Sequence, residues 1–155
     1  MRTLAIDYGL KRVGLALSDA GGTLASPLSV LQRSTDAALI QQIVKTIDYE
    51  GVDRVVLGVP LNMDGTAGPN AKAMAVLGRE ILVKAAPYNS RLSVVLVDER
   101  LSSFDAEQSL NDRKRAGERL TRKGKKQQLD AMAAAVFLQS FLDGNLIAID
   151  PESLR

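Results

Sequence analysis

The order of its apolar runs limits what this chain can fold into. Three short strand-like stretches come first, Thr3 to Ile6, Arg12 to Ser18 and Leu28 to Leu31. Two further apolar runs, Arg54 to Gly58 and Leu92 to Val97, then alternate with segments of helical period. Arg12 to Ser18 puts Val13, Leu15 and Leu17 on one face and Gly14, Ala16 and Ser18 on the other, so its small face lets a helix pack close. Tyr8-Gly9-Leu10-Lys11 reads as a hairpin connection, and Pro27 demotes the third run to an edge position. Leu39, Ile43 and Ile47 predict a helix capped by Ser34 or Thr35 and stopped by Gly51. Pro69 opens a second helix, with Ala73, Leu77 and Ile81 on one face, and Pro87 closes it. Ser102 or Ser103 caps a short helix through Leu110, and a last helix runs from about Lys126 to Asp143. Three strands followed by helix-strand-helix-strand-helix predict an α/β fold. Its centre is a mixed five-stranded sheet, three antiparallel strands and then two parallel ones, flanked by helices. No repeat or linker interrupts this order, so residues 1–155 are expected to form one domain.

Composition narrows the chemistry. A 155-residue chain that is 46% hydrophobic and 25% charged can bury roughly 70% of its unfolded surface around one core. It contains no Cys and no His, which excludes thiol catalysis, Cys/His zinc sites, Ser-His-Asp triads and imidazole bases. Catalysis must then run on carboxylates, amines, hydroxyls or a bound metal. No signal-peptide pattern and no run of ~18 apolar residues is present. A cytoplasmic protein without membrane contact is expected.

Charge is unevenly spread. Between Asp112 and Lys126, eight basic residues (Arg113, Lys114, Arg115, Arg119, Arg122, Lys123, Lys125 and Lys126) face two acids, a net +6. The other 12 basic and 16 acidic residues leave −4. One reading is a solvated, mobile loop, since Gly117 and Gly124 interrupt any helix. The other is an arm that contacts a phosphate backbone.

Three carboxylates stand out. Asp7 and Glu99 each follow an apolar strand, and Asp130 shares a helix face with Ala133, Ala134, Phe137 and Phe141, where the core should be. Singly, each has a plain explanation: turn chemistry for Asp7, an ion pair to Arg100 for Glu99, and the helix macrodipole for Asp130. Those explanations leave convergence unaccounted for. If strands one and five end on the same side and the last helix packs its alanines across them, the three acids meet. A divalent cation is the natural way to keep such a group ionised, and all-oxygen ligands select Mg²⁺ or Mn²⁺. Such a site suits phosphodiester hydrolysis without histidine.

Four segments carry a family resemblance. They are Ala5 to Gly14 (Ala-Ile-Asp-Tyr-Gly-Leu-Lys-Arg-Val-Gly), Gly58 to Thr66, Val97 to Ser103 and Leu129 to Ala134. In this order they resemble the signatures of the YqgF/RuvX family, RNase H-like bacterial proteins described as pre-16S rRNA processing nucleases and as Holliday junction resolvases. The resemblance spans Leu4 to about Asp143 and implies an RNase H-like fold, with the acidic triad on Asp7, Glu99 and Asp130. The polar stretch Lys125 to Gln128 before Asp130 departs from the shorter, more apolar lead-in expected there.

Lys11 and Arg12, beside Asp7, read equally as exposed turn residues or as phosphate-steering groups. Arg100 could orient Glu99 or contact a phosphate. Asn62 and Asp64 are turn formers that the resemblance places in a substrate-facing loop. Three Tyr and three Phe are too scattered for a base-stacking platform. The leading expectation is an Mg²⁺- or Mn²⁺-dependent endonuclease, a monomer or homodimer, acting on structured RNA at the 5′ end of pre-16S rRNA. Cleavage of four-way DNA junctions is the alternative. An actin-like ATPase also opens with strand-Asp-x-Gly-hairpin but needs two such domains. A silent nucleic-acid-binding module would gain nothing from an acidic trio beside phosphates.

Overall fold

The computed structural model describes residues 1–98 and 122–154. Its strands are β1 (Thr3–Tyr8), β2 (Arg12–Ser18), β3 (Ala25–Gln32), β4 (Arg54–Val59), β5 (Ser93–Asp98) and β6 (Ala148–Ile149). Its helices are α1 (Asp36–Glu50), α2 (Pro69–Ala85) and α3 (Arg122–Leu142), and a short 3-10 turn, Pro151–Leu154, follows β6. The strands form one sheet in the order β3-β2-β1-β4-β5-β6. The β1–β2 and β2–β3 pairs are antiparallel, and β1–β4 and β4–β5 are parallel.

The expected mixed sheet is thus present but has six strands rather than five. The extra one, β6, pairs antiparallel with β5 through Leu96↔Ile149 and Val97↔Ala148. Two residues carry no periodicity, so this strand leaves no trace in a sequence pattern. Pro27 does lie in an edge strand, where its missing N–H breaks no ladder bond on the outer side. β3 nevertheless runs longer than Leu28 to Leu31, because its exposed residues hide the strand from a reading based on apolar runs.

α1 begins where its cap demands. The Thr35 side chain accepts from the Ala38 N–H, and Gly51, at φ 65°, ends the helix in the left-handed region. α3 departs from expectation by starting at Arg122 and running through Gly124. A glycine in a helix costs only ~1 kcal/mol, which the burial of Ala134, Phe137 and Leu138 farther along α3 offsets.

Alternation divides the sheet between two cores. Leu4, Ile6, Val13, Leu15, Val55 and Leu57 pack under α1 and α2 together with Ile43, Ile47 and Ile81. Ala5, Ala16, Val56 and Val97 pack on the other face against Ala134, Phe137 and Leu138 of α3. Each fully buried Leu or Ile contributes about 1.5–3 kcal/mol, so the α1/α2 face supplies most of the apolar stabilisation. The α3 face is built from small residues and lets the helix come close. α3 lies mainly over β2 and β3 and then β1, and Val97 of β5 joins the cluster beneath it. Among the described residues, no helix is long and apolar enough to cross a membrane.

Candidate functional site

The α3 face carries the first two candidate acids. Ala5 belongs to the core beneath α3, and Asp7, two residues on, occupies the same face at the carboxyl end of β1. Its cross-strand partner is Gly14. A Cβ built on Gly14 would lie 2.2 Å from the carbonyl oxygen of Asp130, so only glycine lets α3 approach β2 here. The register Asp7↔Gly14 and the contact of Gly14 with Asp130 therefore bring two carboxylate-bearing residues to one place.

Asp130 is the ninth residue of α3, too far along for the macrodipole to explain it. Its partner is Arg12. The Arg12 Nε donates to Asp130 Oδ2 at 2.5 Å, with the two side chains 28% and 30% exposed. Arg12, at the start of β2, shares the small-residue face of Gly14 and Ala16, which directs it toward α3. Sequence reasoning placed Arg12 beside Asp7 but missed this pairing, because residues 118 positions apart carry no local signal.

Glu99, next after β5, lies outside the described residues, as do Arg100, Arg113, Lys114, Arg115 and Arg119. Arg122, Lys123, Lys125 and Lys126 belong to the first turns of α3, so that part of the basic tract is helix and not loop. Lys11 is exposed at the hairpin tip, and its carbonyl accepts from the Arg33 N–H at 2.9 Å. Asn62 and Asp64 organise their own loop. Asn62 Nδ2 donates to Thr66 Oγ1, and Asp64 Oδ1 accepts from both the Thr66 N–H and its hydroxyl. Gly65, at φ 85°, completes that turn.

Among the described residues, no group of three acids gathers to hold a metal ion. Asp7 and Asp130 supply hard oxygen donors of the type that Mg²⁺ and Mn²⁺ accept, so the donor chemistry fits a divalent cation as far as these two residues go.

A family model described as RuvX, Holliday junction resolvase, matches residues 1–144. The chain belongs to this family. Curated relatives carry the name "Putative pre-16S rRNA nuclease". The one from Anaeromyxobacter sp. (strain K) is 42% identical over 145 residues, covering 92% of this chain and 97% of the relative. That of Opitutus terrae is 38% identical over 143 residues, 92% of each chain. Among solved structures, Thermus thermophilus RuvC in complex with a Holliday junction substrate superposes with a TM-score of 0.56 at 13% identity, covering 96% of this chain and 99% of that one. The Fowlpox virus resolvase bound to junction DNA gives 0.51 at 14% identity, covering 93% and 98%. The RuvX-family chain therefore has the RNase H-like fold expected from its sequence.

Proposed function

We propose that this RuvX-family protein is a divalent-cation-dependent endonuclease that processes the 5′ end of pre-16S rRNA in the cytoplasm. The approach of α3 to β2 at Gly14, which places Asp130 beside the cross-strand partner of Asp7, carries this reading. The names of the curated relatives supply the substrate. Junction cleavage is the second reading, favoured by the family description and by the shared fold of the RuvC complex.

Asp7 and Asp130 would hold the cation, with Glu99 as the third carboxylate. The bound ion would lower the pKa of an attacking water and stabilise the departing oxygen. The protein's own residues set the geometry for this. Arg12 fixes one oxygen of Asp130, so the carboxylate meets a ligand in one orientation. Lys11, exposed at the hairpin tip, draws the phosphate backbone toward Asp7. Arg100 and the basic residues from Arg113 to Lys126 would add positive charge for the phosphate backbone. The Asn62–Thr66 turn presents a preset loop near the carboxyl edge of the sheet.

The test is cleavage of a pre-rRNA leader and a four-way DNA junction side by side, with Mg²⁺, Mn²⁺, Ca²⁺ or excess EDTA. Mg²⁺ and Mn²⁺ should support cleavage and Ca²⁺ should not. Glu99→Gln, Asp7→Asn and Asp130→Asn should each abolish it. Turnover in EDTA, or wild-type turnover by any of the three variants, would refute the mechanism, and a preference for the junction would select the second reading.

A further inference from the structure

A cleft of about 470 Å³ opens on the face of the sheet opposite Asp7, between the hairpin after β1, the first turns of α1 and the middle of α2. Its volume falls within the roughly 300–1,000 Å³ of small-molecule sites. Apolar side chains, among them Ile40, Met74 and Leu77, line it together with Arg33, Asp36, Asn70 and Glu80. The carboxylate site uses none of these residues.

Arg33 is held in place on several sides. Its guanidinium lies 4.3 Å from the centroid of the Tyr8 ring, and its Nη1 sits 3.4 Å from the carbonyls of Gly9 and Leu10. Tyr8 donates its hydroxyl to Asp36 Oδ1 at 3.1 Å. The result is a fixed cationic platform beside an acceptor.

The composition of the walls selects the ligand. A phosphate would meet two carboxylates, Asp36 and Glu80, against one guanidinium. An aliphatic side chain would desolvate four polar groups and pair with none. A planar heterocycle with amino groups meets every requirement: it stacks on a guanidinium, lies on an apolar floor and donates to carboxylate or amide oxygens. Position adds a second reason. Asp7 and Tyr8 are consecutive residues of β1, so they face opposite sides of the sheet at the same carboxyl edge. A strand whose phosphate reaches Asp7 has only that edge to cross before a neighbouring base reaches the cleft.

We propose that this cleft receives one nucleobase bearing an exocyclic amine (adenine, cytosine or guanine), extruded from the strand under cleavage. The inference rests on the nuclease reading for its source of bases. Extrusion costs least at a bulge or an unpaired end, so the pocket would direct the enzyme to such places.

Two measurements on the full chain, both without metal, test it. NMR titration with adenosine, cytidine and uridine should shift the amide signals of Arg33, Asp36, Asn70 and Ala73, with uridine at least about fivefold weaker than the other two, for lack of an amine donor. A duplex RNA with one bulged 2-aminopurine should change its fluorescence on binding. Ala73→Trp, at an exposed position lining the cleft, should weaken that complex about tenfold while a fully paired duplex of equal length binds as before. Arg33→Met should act in the same direction. Nucleosides that shift nothing in the cleft, equal binding of uridine, or a Trp variant that weakens both RNAs alike would overturn the proposal. Nucleoside binding with no bulge effect would overturn extrusion and leave a pocket for free nucleosides. Cleavage of the pre-rRNA leader by the wild type is assayed separately, so its failure would remove the nuclease reading without touching these titrations.

Discussion

Gly14 sets the distance between the sheet and α3, and one added methyl group tests this. In Gly14→Ala the new carbon would fall 2.2 Å from the Asp130 oxygen and 2.8 Å from its carbonyl carbon, both backbone atoms that cannot rotate away. Overpacking of this kind costs about 1–3 kcal/mol, and each kcal/mol lowers the Tm of a chain this size by roughly 2–4 °C. Cleavage should fall more steeply than stability, because Asp130 is displaced from Asp7; a variant of wild-type Tm and activity would show that the helix does not need this contact. By comparison Asp130→Asn removes only a partly exposed ion pair with Arg12, worth about 1 kcal/mol or less, so its Tm should move by no more than a few degrees. The small face of Gly14, Ala16 and Ser18 was legible in the alternation of β2, and Asp130 stood out as an acid where core was due. The hand that Arg12 places on Asp130 was not legible, since nothing local links the two.

At the scale of elements, the sequence displayed helices through their caps and strands through their apolar runs. Thr35 and Gly51 bound α1 as their chemistry requires. Elements stabilised from outside themselves were harder to see: β3 through its pairing with β2 and β6 through its pairing with β5. The start of α3 at Arg122, before Gly124, was hidden by that glycine. The turn joining β2 to β3 owes its shape to one carboxylate. Asp19 accepts from the Thr23 and Leu24 N–H groups and from the Thr23 hydroxyl, and these bonds, the Thr23 N–H first, hold its pKa below the ordinary 3.8. A depressed carboxylate stabilises the fold above its unfolded value and loses that contribution as pH falls through the folded one. The turn should therefore stay intact down to about pH 3.8 and loosen below it, seen as faster amide exchange at Thr23 and Leu24. Asp19→Asn should abolish this pH step, and a step that survives in the variant would assign it to another group.

At the scale of the whole molecule, charge is divided between a body of −4 and the +6 segment from Asp112 to Lys126. Changing Arg113, Lys114 and Arg115 together to Ala should flatten the slope of log affinity against log salt by about 2–3 units if all three touch phosphate. An unchanged slope would move the binding surface to Lys11, Arg12 and Arg100. The sheet carries a different consequence in its short last strand. β5 offers Val94 to Val97 as a run of β-formers, and β6 occupies part of the side of it that β4 leaves open. The turn beyond β6 then anchors Leu154, 3% exposed, in the α1/α2 core. These residues lie past the 1–144 match to the family model. They act as a guard strip against self-association: deletion of residues 145–155 should leave a sheet that still pairs internally but now recruits other copies edge to edge. Light scattering that rises with protein concentration in the truncated chain, and not in the full one, would reveal it.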